Sequence, residues 1–163
     1  MSLGLSAKKP QGVEPEHVID FREGVELLKN EYPEKALTRL RKAFQGDNRN
    51  PYYISALGLS IARAEQKWVE ASELCETAVQ LKRKEIQFHM NLIEVYALAG
   101  QREKALDRLH SASALFRGDA RLRRMRSKLE KRRAPLLPFF GRAHFLNREL
   151  GKLRHRISKK LDK

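Results

Sequence analysis

The chain has 163 residues, 41% of them hydrophobic and 33% charged, enough for one domain with a modest core and too apolar to be disordered throughout. Cys75 is its single cysteine, which excludes an intramolecular disulfide and a thiolate-rich zinc site and fits a reducing compartment. The net charge of +14 is uneven: residues 18–118 hold 16 Lys/Arg against 14 Asp/Glu, and residues 119–163 hold 16 against 4, so the basic end should attract phosphates, anionic lipid or acidic surfaces.

Residues 1–17 read as a flexible N-terminal segment. They contain no apolar run of a secretory leader, and nowhere does the chain approach the roughly 20 apolar residues of a membrane span. From residue 18 a repeating pattern of amphipathic helix pairs begins. In the first pair, about 18–50, Val25 and Leu28 recur at helical spacing before Asn30-Glu31-Tyr32-Pro33, and Ala36, Leu40 and Ala43 after it. Pro33 suits a first helical turn, where its missing N–H is no loss. The second pair, about 51–84, has Leu57, Ile61 and Ala64, then Ala71, Cys75 and Ala78, around Glu65-Gln66-Lys67. In the third, about 85–118, Leu92, Tyr96 and Ala99 precede Gly100-Gln101-Arg102-Glu103, and Ala105, Leu109 and Ala112 follow. Small or equivalent positions repeat at offsets of 34 or 35 residues: Gly24, Gly58 and Ile93 in the first helices, Ala36, Ala71 and Ala105 in the second. A one-residue excess falls in the second turn, before Trp68.

A capping helix is expected over 119–133, with Asp119 as its N-cap after a break at Gly118, with Leu122, Met125 and Leu129 inward, and with Arg121, Arg123, Arg124, Arg126 and Lys128 toward water. The linker Pro135-Leu136-Leu137-Pro138-Phe139-Phe140-Gly141 follows, too rich in proline to continue a helix. From about Arg142 a basic amphipathic tail is predicted, Leu146, Leu150, Leu153, Ile157 and Leu161 on one side and Arg148, Lys152, Arg156, Lys159 and Lys160 mostly on the other. Phe139, Phe140, Phe145, Leu146, Leu150 and Leu153 are its expected apolar contacts, and Arg148, Lys152 and Arg156 its cationic ones. Docking on the repeat body or on a partner, including a second copy, is the favoured use of so much apolar surface. An anionic membrane and nucleic acid are the alternatives.

The 34-residue period, Leu57-Gly58, Tyr96, the three alanines and the Glu-Lys-Ala-Leu phrases at 34–37 and 103–106 resemble the tetratricopeptide repeat. Ile54 and His89 stand where that family has Trp, Ile93 where it has a small residue, and Cys75 and Leu109 where it has an aromatic. The tail phrase looks like the endings of small bacterial proteins of this type, which suggests a bacterial cytoplasm. The resemblance implies an all-α fold, a right-handed superhelical stack of three helix-turn-helix pairs closed by the cap and followed by the C-terminal amphipathic helix. It also implies a concave groove lined by the first helix of each pair. Aligned on the repeats, the groove residues are Phe21, Arg22, Val25 and Lys29, then Tyr52, Ala56, Leu59 and Arg63, then Gln87, Met90, Asn91 and Glu94. Chaperone-binding members clamp a peptide carboxylate with Lys, Arg and Asn; the aligned positions here are Phe21, Val25, Ala56, Gln87 and Asn91, of which Asn91 alone matches. The expected ligand is therefore an apolar peptide or helix, and the expected role a non-catalytic adaptor.

Nothing in the sequence assembles a catalytic or cofactor site. His17, His89, His110, His144 and His155 lack metal-ligand spacing, Cys75 falls at a core position, and Glu70, Glu73, Glu76 and Asp107 read as solvated charges. Trp68 reads as the residue that opens a second helix and covers the turn.

Overall fold

The computed structural model describes residues 14–130, which form seven helices and no strand. They are α1 (Glu16–Lys29), α2 (Pro33–Gly46), α3 (Pro51–Glu65), α4 (Trp68–Leu81), α5 (Ile86–Leu98), α6 (Arg102–Leu115) and α7 (Ala120–Glu130). The linker and tail expected from 134 onward, with Phe139, Phe140, Phe145, Leu146, Arg148, Leu150, Lys152, Leu153 and Arg156, lie outside the described residues.

Local chemistry sets several helix starts. Pro33 and Pro51 occupy first turns, and the Asn50 side chain accepts from the Tyr52 N–H at 3.0 Å. The Asp119 carboxylate accepts from the Arg121 N–H at 2.8 Å at the start of α7. The Arg121 guanidinium, and then that bond, hold its acid below the ordinary carboxylate range. Helix α1 begins at Glu16, two residues before the expected start, because His17 is packed: its ring lies edge-on to Tyr53 at 5.8 Å, and its Nδ1 is 3.1 Å from the Tyr53 hydroxyl oxygen.

The helices pack as pairs, α1 on α2, α3 on α4 and α5 on α6, and α3 and α5 each also lie against the pair before. Small residues permit this. A Cβ on Gly24 would sit 2.6 Å from Leu40 Cγ, and one on Gly58 would sit 2.8 Å from Cys75 Sγ and 2.9 Å from the Ala71 carbonyl oxygen, distances at which no side chain fits. Ala36, Ala43, Ala71, Ala78, Ala105 and Ala112 are fully buried on the partner helices. Helix α3 lies between neighbours and is buried continuously from Tyr53 to Ala62.

The extra residue of the second repeat does not lengthen its turn. Helix α3 has 15 residues against 14 in α1 and 13 in α5, so the addition is taken up as helix, and Gln66 then ends α3 in the left-handed region at φ 55°. Helical hydrogen bonding favours propagation over a longer irregular turn.

Candidate functional site

One face of α1, α3 and α5 forms a groove of ≈ 350 Å³. Phe21, Val25, Leu28 and Lys29 come from α1, Tyr52, Ser55, Ala56, Leu59 and Arg63 from α3, and Gln87, Phe88, Asn91 and Glu94 from α5. The spacing of three and four residues along each helix keeps these side chains on one stripe. Ten of the twelve expected groove residues line it. Arg22 does not: it is exposed and swings back to Glu14, with Nη2 to Oε2 at 3.1 Å. Met90 does not either, because the flank of α5 that turns toward α3 is the one bearing Phe88, whose ring meets Tyr52 edge-on at 5.0 Å, and Met90 lies on the other flank.

Three lining residues escaped the sequence reading: Leu28, Ser55 and Phe88. Leu28 and Phe88 are 6% and 1% exposed, so helical periodicity assigns both to the core. They are core residues whose outer surface is also the groove floor, and period alone does not separate the two roles.

The polar groups of the groove are mostly bonded to one another. Arg63 donates from Nε to Glu94 Oε1 at 2.8 Å and from Nη1 to the Leu28 carbonyl at 3.0 Å, with a further bond from Nη2 to Glu94. One guanidinium thus ties α3 to both α5 and α1. The Asn91 amide donates to Ser55 Oγ at 2.9 Å, and Gln87 donates to Asn91 Oδ1 at 2.8 Å. At the rim the Tyr52 hydroxyl donates to Glu85 Oε2 at 3.0 Å and accepts from Lys82 Nζ at 2.6 Å. Phe21, Val25, Leu28, Ala56, Leu59 and Phe88 remain as an apolar strip, of which Phe21 and Val25 are half-buried and the other four buried.

The remaining reactive groups sit elsewhere. Cys75 is fully buried, 3.6 Å from the Ser55 carbonyl oxygen, and burial pushes its thiol up to about 12, so it holds its proton and packs as an apolar residue. His89 is buried with Nε2 2.9 Å from the Arg83 carbonyl oxygen and its ring edge-on to Phe116 at 5.4 Å. Glu76 is not the plain surface charge expected: it is half-buried and receives the Tyr96 hydroxyl bond. Burial, and then that bond, push the Tyr96 hydroxyl up to about 12. Among the described residues no three His, Cys, Asp or Glu side chains gather as metal ligands, and no helix is long and apolar enough to cross a membrane.

Residues 62–129 match the family model described as tetratricopeptide repeat. The fold is similar to that of the first tetratricopeptide domain of Spaghetti (RPAP3) bound to HSP90 peptide SRMEEVD, with TM-score 0.58, 17% identity, and 70% of this chain and 92% of that chain covered. The Arabidopsis OM64 tetratricopeptide domain aligns with TM-score 0.59, 13% identity, and 70% and 93% coverage. The Thermobaculum terrenum O-GlcNAc transferase mutant K341M aligns with TM-score 0.54, 22% identity, 66% of this chain and 21% of that one. Comparison with curated protein sequences finds no match. The match over residues 62–129 and the paired-helix fold agree: that stretch reads as tetratricopeptide repeat, and the described residues have the fold of tetratricopeptide domains. Domains of this class are protein–protein interaction modules.

Proposed function

We propose that the groove between α1, α3 and α5 holds an apolar helix or extended segment of another protein and that the chain is a non-catalytic adaptor. The observation that carries this reading is the apolar strip from Phe21 to Phe88 beside polar groups already bonded within the protein. A ligand that covers the strip gains free energy from apolar burial without breaking those bonds. An acidic peptide carboxylate finds little to hold it. Asn91, the one residue matching the clamp, has its amide N–H on Ser55 and its oxygen on Gln87, and Arg63 is committed to Glu94 and the Leu28 carbonyl. The HSP90 peptide of the similar structure therefore serves as the negative probe.

Selection of random displayed peptides on the full chain should yield sequences with apolar residues three and four apart. Val25→Glu, which puts a carboxylate at the middle of the strip, should weaken the selected peptides by about tenfold or more. The peptide SRMEEVD should show no saturable binding by calorimetry. Saturable binding of SRMEEVD, or selected peptides indifferent to Val25→Glu, would overturn the proposal.

A further inference from the structure

The antiparallel helices place the turns that lead from one pair to the next, 47–50, 82–85 and 116–119, along a single edge. Side-chain contacts join them in a row. Tyr52, one turn into α3, bonds both Lys82 and Glu85 of the second turn. His89 then connects the second turn to the third, its Nε2 against the Arg83 carbonyl and its ring against Phe116. Residues 82–85 and 116–126 together hold eight Lys/Arg against Glu85 and Asp119. Both acids are occupied: Glu85 accepts from Tyr52 and from the Gln87 N–H, and Asp119 caps α7 and pairs with Arg121. Arg83, Lys84, Arg117, Arg123 and Arg124 are exposed, and no carboxylate among the described residues neutralises them. The opposite edge, with turns 30–32, 66–67 and 99–101, carries only Glu31 and Lys67.

The basic edge also presents apolar side chains. Leu81 closes α4 with 58% of its surface exposed and Leu115 closes α6 with 49% exposed, each next to a cationic turn. Tyr32 and Leu98 are exposed on the opposite edge but lack the surrounding excess of positive charge. Cations beside protruding leucines suit a surface that offers phosphates at one depth and hydrocarbon just below. A nucleic-acid backbone offers the first without the second, and its bases would want free aromatic faces, whereas Phe116 is half-buried against His89 and the exposed Tyr52 ring already has Lys82 Nζ 4.7 Å from its centroid and Phe88 packed on it at 5.0 Å.

We infer that this turn edge of the repeat body is an anionic-membrane docking surface, in which Arg83, Lys84, Arg117 and Arg124 meet lipid phosphates while Leu81 and Leu115 enter the headgroup layer. None of the six residues proposed to touch the membrane lines the groove. Each cation near an anionic bilayer contributes a few-fold to partitioning, and the sum is screened by salt. Leucine burial adds a part that salt does not screen.

The experiment is co-sedimentation of the full chain with vesicles of phosphatidylcholine plus phosphatidylglycerol, against phosphatidylcholine alone. Its basic residues beyond 130 are present in every variant. The combined change Arg83→Gln, Arg117→Gln and Arg124→Gln should lower partitioning to the anionic vesicles by about a hundredfold. The separate pair Leu81→Ser and Leu115→Ser should lower it about tenfold while leaving affinity for a single-stranded oligonucleotide unchanged. Vesicle binding by the arginine variant equal to that of the parent chain would overturn the inference, since the cations beyond 130 would then suffice. Full vesicle binding by the leucine variant would also overturn it and make the edge a surface for phosphate polymers.

Discussion

At the scale of single residues, the fold raises two protons and thereby sets a pH dependence. The Cys75 thiol moves from an ordinary 9.0 to about 12 by burial, and the Tyr96 hydroxyl from 10.0 to about 12 by burial and its bond to Glu76. Both groups keep their protons longer in the folded chain than in the unfolded one. Their contribution is therefore complete below the unfolded values and is lost as pH climbs from about 9 toward about 12. The urea midpoint should hold steady through neutral pH and fall across that alkaline window. A midpoint that rises there would contradict the buried positions. In neutral buffer Cys75 should react with a thiol reagent only as fast as the protein opens. The repeat pattern placed Cys75, Leu40 and Leu109 correctly in the core, since burial follows from helical period. It gave no sign of the Tyr96 to Glu76 bond, which joins α5 to α4.

Between elements, two arginines of α2 separate buried from exposed pairing. Arg39 donates to Asp20 Oδ1 at 2.9 Å and meets Glu23 at 3.2 Å. The Asp20 side chain is only 5% exposed, and among the described residues Arg39 is the cation that meets it. Arg41 bonds Glu65 at 2.7 Å, but Glu65 also has Lys67 at 2.8 Å. Arg39→Ala should lower the urea midpoint clearly, because it strands a buried carboxylate. Arg41→Ala should cost less, because Glu65 keeps Lys67 at 2.8 Å. Equal losses in urea denaturation would refute the distinction. Both arginines look alike in sequence; what separates them is the burial of the acid each one meets, and that is a property of the α1 and α2 packing.

Across the molecule, each helix pair leans on its neighbours, so stability should be distributed along the stack. Leu122 of α7 is 2% exposed. Leu122→Ala should cost about 2–4 kcal/mol, and native-state hydrogen exchange should show α7, α5 and α6 opening faster while α1 and α2 change least. Uniform acceleration across all helices would instead mean one cooperative unit.

Sequence alone determined the 34-residue period, the helix pairs, the small residues at close approaches and ten of the residues on the groove stripe. These rest on local rules: 3.6 residues per turn, capping side chains, and the room a glycine or alanine leaves. Tertiary structure decided which flank of α5 faces inward, so that Phe88 lines the groove and Met90 does not. It also decided that Asn91 and Arg63 are bonded within the fold, to Ser55 and Glu94 respectively. Those partners lie 36 and 31 residues away in the chain, and no local pattern encodes the angle at which one helix pair meets the next. That angle settles which polar groups stay free for a ligand.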